Sequence, residues 1–314
     1  MNSFVQSAGL AHVSLPPRPV HLAIGMFDGI HLGHRSVIAA AVQAARRSGG
    51  IAAVLTFAPH PSELFRPDNP TPLIMDMATK AAGLRDLGVD GLIVEPFTPH
   101  YAKIAAEEFL PHLRKHVPLL HAVYVGENWR FGQGRRGDVT LLMQVGQRLG
   151  LEVFSAPRVK LDGEPISSTR IRALLTSGEI GTANRLLGHT YAAHGVITAG
   201  KRLGRTIGFP TLNLAWSPGL RPKFGVYAVR ILGRKAPVPL TGVANYGLRP
   251  TVEQATEPRL ETHVFGECPF GEGDAITVEW LRFLRAEMKF SGLQELQAQI
   301  ARDVIAARAE FFLP

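Results

Sequence analysis

Residues 25–34 read Gly-Met-Phe-Asp-Gly-Ile-His-Leu-Gly-His. Gly25, Gly29 and Gly33 let a backbone approach a ligand closely. His31 and His34 stand three apart at what reads as the opening of a helix. A helix start offers free N–H groups and a partial positive charge to an anion. Imidazoles beside it can donate hydrogen bonds to a pentavalent phosphate without forming a covalent bond. Two histidines also suit a metal, but a metal pair needs a third ligand, and no neighbouring Cys or Glu offers one. The segment points to nucleotide transfer.

The flanking pattern must position this segment. Val20 to Ile24 reads as a buried strand, and residues 34–47 place Val37, Ile38, Ala41, Val42 and Ala45 on one helical face. Strands follow at 51–57, 91–95, 122–125 and 151–155, with helices near 75–87, 101–116 and 139–149. Such alternation means a parallel sheet with helices on both faces, whose ligands bind at the carboxyl ends of the strands. The pattern changes after about residue 186. Short apolar segments at 191–198, 211–214, 225–232, 238–245, 260–265 and 275–283 suggest an antiparallel barrel or sandwich. A last helix is expected, with Ser291 and Gln294 as its capping box and Leu293, Leu296, Ile300, Val304 and Ile305 as its apolar face. The fold class is α/β plus β, in domains 1–186 and 187–314.

The second half has its own informative run, Gly-Lys-Arg-Leu-Gly-Arg-Thr-Ile-Gly-Phe-Pro-Thr-Leu-Asn at 200–213. Gly200, Gly204 and Gly208 permit close phosphate approach, and Lys201, Arg202 and Arg205 bring positive charge. Thr211 and Asn213 alternate onto one face of a strand, so both oxygens can meet one hard cation such as Mg²⁺. A Gly/Pro-rich turn closing a barrel would read the same way.

Two motifs are decoys. Gly132-x-Gly134-x-x-Gly137 satisfies a dinucleotide fingerprint only literally, because an aromatic and basic loop separates it from its strand. Residues 195–201 nearly make a P-loop, but Arg202 replaces Ser or Thr, and Pro210 forbids the helix that should follow. His112 and His116 lie four apart on a helix without a Glu between them and are expected to be solvated.

Three companions follow the first motif in order: Thr56-Phe57-Ala58-Pro59-His60-Pro61, Gly126-Glu127-Asn128-Trp129-Arg130-Phe131-Gly132 and Ile166-Ser167-Ser168-Thr169-Arg170-Ile171-Arg172. With them the first half resembles the HxGH nucleotidylyltransferases, and its longer form resembles the bacterial bifunctional riboflavin kinase/FAD synthetase family. The second half resembles the riboflavin kinase module of that family through 200–213, Phe224 to Tyr227, Gly242 to Thr251, Glu261-Thr262-His263 and Leu284 to Phe290. The resemblance spans about residues 20–310.

It implies two reactions. Riboflavin and ATP give FMN in the C-terminal module; FMN and a second ATP give FAD and pyrophosphate in the N-terminal one. It makes His31, His34 and Glu261 the catalytic residues, with Glu261 as the base. It assigns Gly25, Phe27, Asp28, Gly33, Asn128, Ser168, Thr169, Arg172, Gly200, Gly204, Arg205, Gly208 and Pro210 to nucleotide binding. It assigns Thr211 and Asn213 to Mg²⁺, and Phe57, Pro59 and Phe131 to the flavin or equally to the core. One departure is evident: residues 264–274 replace the hairpin the family usually carries after Glu261-Thr-His.

Bulk composition agrees. Apolar residues make up 46% of the 314 and charged residues 19%, which are globular values. The lone Cys268 fits a reducing compartment, so a cytoplasmic enzyme is expected. No signal segment or membrane-length apolar run is present. The net charge of +8 is spread along the chain; it suits small anionic ligands, and neither a nucleic-acid nor a membrane partner is expected. Oligomeric state is not encoded legibly. The rival readings are an adenylyltransferase with an inactive kinase-like module, and a non-enzymatic flavin-, nucleotide- or RNA-binding protein.

Overall fold

In the computed structural model, residues 4–200, 203–248 and 258–311 are described. Contacts divide the chain into two units, Met1–Ser168 and Thr169–Pro314.

The first unit is a parallel sheet. Its strands are β1 (Val5–Ser7), β2 (Val20–Ile24), β3 (Ile51–Phe57), β4 (Gly91–Glu95), β5 (Leu120–Gly126) and β6 (Glu152–Ala156), in the order β1-β4-β3-β2-β5-β6. Every residue of β2 is buried, because both faces are covered. Val20, Leu22 and Ile24 join the core on one face and Ala23 joins the core on the other, as the two-residue period of a strand requires. The helices are α1 (Leu32–Ser48), α2 (Pro61–Phe65), α3 (Met77–Asp86), α4 (Phe109–His116) and α5 (Val139–Leu149). The strand order reverses at β2, which lies between β3 and β5. This places the β2–α1 turn where open α/β sheets bind ligands. The far end of α1 is tied down as well. His21, 3% exposed, bonds Tyr124 at 2.9 Å and Ser48 at 2.8 Å, and burial holds its imidazole below the usual histidine range.

The expected helix over 101–116 is in fact a 3₁₀ turn at Tyr101–Lys103 followed by α4. The Ile104 carbonyl is taken by the Gln133 N–H at 2.7 Å, and Ala106 packs against Gly132, where a Cβ would come within 2.6 Å. A tertiary contact thus interrupts a helical pattern. His112 is half-buried, its ring 5.9 Å from that of Tyr101, so the expectation that it is solvated fails. A two-residue hairpin pair, β7 (Lys160–Leu161) and β8 (Glu164–Pro165), precedes the second unit.

The second unit opens with α6 (Ser168–Ser177) and α7 (Ile180–Leu187) and continues as a closed antiparallel barrel. Its strands are β9 (Ala192–Thr198), β10 (Leu212–Ala215), β11 (Gly225–Gly233), β12 (Ala236–Gly247), β13 (Arg259–Val264) and β14 (Ala275–Arg285), with the short α8 (Leu203–Thr206) before β10. Pairing runs β10-β13-β12-β11-β14-β9 and closes on itself. Tyr227, Tyr246 and Trp280 are fully buried and meet edge to face, Tyr227 and Trp280 at 4.4 Å.

The opposite strand faces carry Val226, Ala228 and Val243, which pack against Ala307, Val304 and Phe311 of α9 (Leu293–Phe311). The helix is fastened by Arg285, whose Nε and one Nη donate to the two oxygens of Asp303 at 2.8 and 2.6 Å. Its start differs from expectation: Ser291 bonds Glu295, not Gln294, through both N–H and hydroxyl at 2.8 Å. Leu293 and Ile305, expected on the apolar face, are 56% and 69% exposed, because the barrel presents a strip too narrow to cover them.

Asp303 is 5% exposed, so removing it strands a largely buried guanidinium. Asp303→Ala is expected to destabilise the second unit by about 3 kcal/mol, read as a lower urea midpoint for the barrel aromatics' fluorescence.

Candidate functional site

Two sites emerge, one in each unit. The first is the turn from Gly25 to His31. Phe27 and Ile30 adopt φ of 48° and 39° there, a left-handed conformation that side chains avoid unless held. The holding groups come from elsewhere in the unit. The Met26 carbonyl accepts the Thr56 hydroxyl at 3.1 Å and the Lys80 ammonium at 2.8 Å. The Asp28 carboxylate accepts the N–H groups of Ile74 and Met75 at 3.0–3.3 Å. The Ser168 hydroxyl donates to the Asp28 carbonyl at 2.9 Å.

The turn delivers His31 as the N-cap of α1. His31 Nδ1 accepts the His34 N–H at 3.2 Å. In the neutral ring the proton therefore sits on Nε2, which becomes the donor. The two imidazoles stack with centroids 3.6 Å apart and planes 17° apart. Gly33 leaves room for this, since a Cβ there would crowd His31 Cε1 at 3.1 Å. No acidic residue lies in the first turn of α1, so its positive end keeps its pull on an anion.

Other expected residues fall into distinct places. Gly25 abuts the Phe27 ring, at 3.1 Å from a Cβ built on it. Phe27 is 2% exposed, edge-on to His34 at 5.3 Å, and Asp28 is 1% exposed. Both shape the turn from inside, and the side chain of Asp28 is committed to backbone N–H groups. Phe131 is 5% exposed and lies in the core, stacked on Trp129. Phe57 is half-buried against Phe97 and Tyr101, and Pro59 is exposed. Asn128 is exposed, and its amide oxygen accepts from the Arg158 guanidinium. Thr169 lies in the first turn of α6 and Arg172 one turn further on, and both belong to the second unit.

The second site is a cavity of about 220 Å³ between the outer face of the barrel, the 285–290 segment and α9. Thr211, Asn213, Glu261 and Gly204 all line it. The register explains the meeting: Asn213 pairs with Glu261 across β10 and β13, and Glu261 pairs with Asn245 across β13 and β12. Three polar residues thus form one row over three neighbouring strands. Gly200 lies against the Asn213 amide, 2.2 Å from a built Cβ. The Asn213 side-chain amide oxygen (Oδ1) is buried with no hydrogen-bond donor among the described residues. Arg205 is exposed on α8, and Gly208 and Pro210 are exposed on the loop between α8 and β10; Lys201 and Arg202 lie outside the described residues.

Sequence reasoning singled out the segments holding several further cavity residues without giving those residues a site role. Asn245, His263, Arg285, Glu287 and Met288 line it too. His263 Nδ1 donates to the Pro210 carbonyl at 2.8 Å and so braces the loop that presents Thr211. Alternation carried the signal, because His263 lies two residues from Glu261 on the same strand face. The departing segment 264–274 contributes nothing to the cavity lining; its Phe270 packs under Gly233 instead.

Among the described residues no cluster of three or more His, Cys, Asp or Glu is placed to hold a metal, and no helix is long and apolar enough to cross a membrane. Residues 15–170 match the family model described as FAD synthetase, and residues 187–311 match that of riboflavin kinase. The bifunctional riboflavin kinase/FMN adenylyltransferase of Escherichia coli K12 is 38% identical over 93% of this chain and 92% of its own. The protein of the same description from Bacillus subtilis is 34% identical over 90% and 89%. A crystal structure of a macrolide-efflux protein from Streptococcus pneumoniae superposes with a TM-score of 0.87 at 28% identity, covering 97% of this chain and 98% of that one.

The Gly200 contact gives a test of the cavity. Gly200→Ala forces the Asn213 amide aside, and any reaction run there should slow by about tenfold, since small misplacements are costly at a reacting centre. The thermal midpoint should hold, because only a side-chain end has to move.

Proposed function

This chain belongs to the bifunctional riboflavin kinase/FMN adenylyltransferase family, and from that membership we propose how its own residues divide the work. It phosphorylates riboflavin to FMN with ATP and adenylylates FMN to FAD with ATP, releasing pyrophosphate. We assign adenylyl transfer to residues 1–186 and the kinase to 187–314. The family-model spans, 15–170 and 187–311, support that division.

In the kinase, the carrying observation is the pairing of Asn213 with Glu261 on the wall of one cavity. Glu261 accepts the proton of the riboflavin 5′-hydroxyl as that oxygen attacks the γ-phosphate, and the bond from the γ-phosphorus to the bridging oxygen breaks to release ADP. Thr211 and Asn213 suit a hard cation, and the buried, unpartnered Asn213 oxygen is the kind of donor Mg²⁺ takes. Mg²⁺ bound there would neutralise charge on the transferring phosphates. Gly204 lies 3.5 Å from Thr211 Oγ1 by its built Cβ, so backbone and hydroxyl can face one phosphate.

In the adenylyltransferase, the carrying observation is the stacked pair of His31 and His34 at the positive end of α1. An FMN phosphate oxygen attacks the α-phosphate of ATP, and the bond to pyrophosphate breaks. The imidazole N–H groups stabilise the charge that develops on the phosphates. Gly25 and Gly33 keep the approach open, and Phe27, Asp28 and Ser168 set the turn. Asn128, Thr169 and Arg172 are proposed for the remaining ATP contacts. Phe57 and Pro59, less covered than Phe131, are the better candidates to meet the flavin. ATP as the shared substrate and the lone Cys268 support a cytoplasmic setting.

Chromatographic separation of flavins after incubation with riboflavin, ATP and Mg²⁺ tests both halves. His31→Ala should accumulate FMN and stop. Glu261→Ala should convert supplied FMN to FAD but leave riboflavin untouched. The opposite pattern would reverse the domain assignment. Asn213→Ala should raise the Mg²⁺ concentration needed for half-maximal riboflavin phosphorylation about tenfold or more, one lost charge-bearing contact being worth that order; an unchanged Mg²⁺ titration would remove Asn213 from the cation site.

A further inference from the structure

Helix α3 lies against the turn before α1 and meets it with two residues three apart. Gly83 leaves room for Ile30, whose Cδ1 would stand 3.0 Å from a Cβ built on that glycine. Lys80 is 2% exposed, and its ammonium donates to the Met26 carbonyl. That carbonyl also accepts the Thr56 hydroxyl, so both its lone pairs are filled. The turn returns the contact: Asp28 accepts the Ile74 and Met75 N–H groups just ahead of α3. The two segments clamp each other reciprocally, each through a side chain of one and the backbone of the other.

A buried ammonium is an expensive way to fill space, and a methionine of similar length would fit at lower cost. Burial pushes the Lys80 ammonium below the ordinary lysine range, while the nearby Asp28 charge opposes that shift. The cation is therefore retained behind a backbone segment in which Phe27 and Ile30 are forced to positive φ. That segment ends at His31, the cap of α1.

We propose that Lys80 is a positioning residue for adenylyl transfer: anchored on the Met26 carbonyl, it holds the 25–30 turn in the bent form that presents the His31 end of α1 to the phosphates of ATP. This rests on the assignment of that end of α1 to adenylyl transfer. Lys80 touches neither substrate nor reacting atoms. Its removal loosens the turn.

The test uses the full chain with FMN, ATP and Mg²⁺, and follows FAD formation as ATP is varied. In Lys80→Met the KM for ATP should rise at least about fivefold and kcat/KM should fall about tenfold or more. Riboflavin phosphorylation by the same preparation should stay within about twofold. Partial unfolding would lower the apparent kcat but would not raise KM. Should Lys80→Met fail to fold, Lys80→Gln and Thr56→Val are read instead, with the same direction expected. Wild-type KM and kcat for ATP in the folded variants, alongside loss of FAD formation in His31→Ala, would overturn the role of Lys80 while leaving the site in place. Undiminished FAD formation in His31→Ala would instead show the site itself misassigned, and the proposal would fall with it.

Discussion

The carbonyl of Met26 is where the first unit is decided. A parallel strand that must turn sharply into a helix leaves backbone groups pointing inward, and buried carbonyls need partners. Here the partners are a hydroxyl from β3 and an ammonium from α3. They hold a turn that side chains at Phe27 and Ile30 would otherwise avoid. Because the turn is fixed, His31 can cap α1 with its own Nδ1 and keep Nε2 as a donor. The sheet order supplies the place, the clamp supplies the shape, and the helix supplies the field.

The second unit solves a comparable problem differently. Its interior is packed with aromatic rings that meet edge to face. The site lies on the outer face, roofed by α9. Strand register, not a turn, brings Asn213, Glu261 and Asn245 into one row. The bidentate pair of Arg285 and Asp303 fixes the roof over that row. Such a pair is geometrically specific even where its net contribution to stability is modest.

Glycine does a related job in both sites: a Cβ at Gly33 would crowd the His31 ring at 3.1 Å, and one at Gly200 would collide with the Asn213 amide at 2.2 Å. Gly33 admits the His31 ring and Gly200 admits the Asn213 amide. In each case the glycine serves the side chain that does the chemistry before it serves any ligand.

Much of this was legible in the sequence. The two-residue and 3.6-residue periods gave the parallel sheet and the barrel strands, because those periods are local properties of the chain. The glycines, His31, His34, Thr211 and Asn213 were visible as motifs within short windows. Tertiary structure decided the rest. It broke the 101–116 helix on a contact with residues 132–133, exchanged Gln294 for Glu295 as the partner of Ser291, and turned Asp28 inward as a clamp. It also set Asn213 opposite Glu261, and brought in Lys80, Asn245, His263 and Arg285. Each of these depends on a partner far away in the chain. Local propensity can state what a segment prefers to be, but the pairing of distant segments is settled only when the whole core closes, and there the site is assembled.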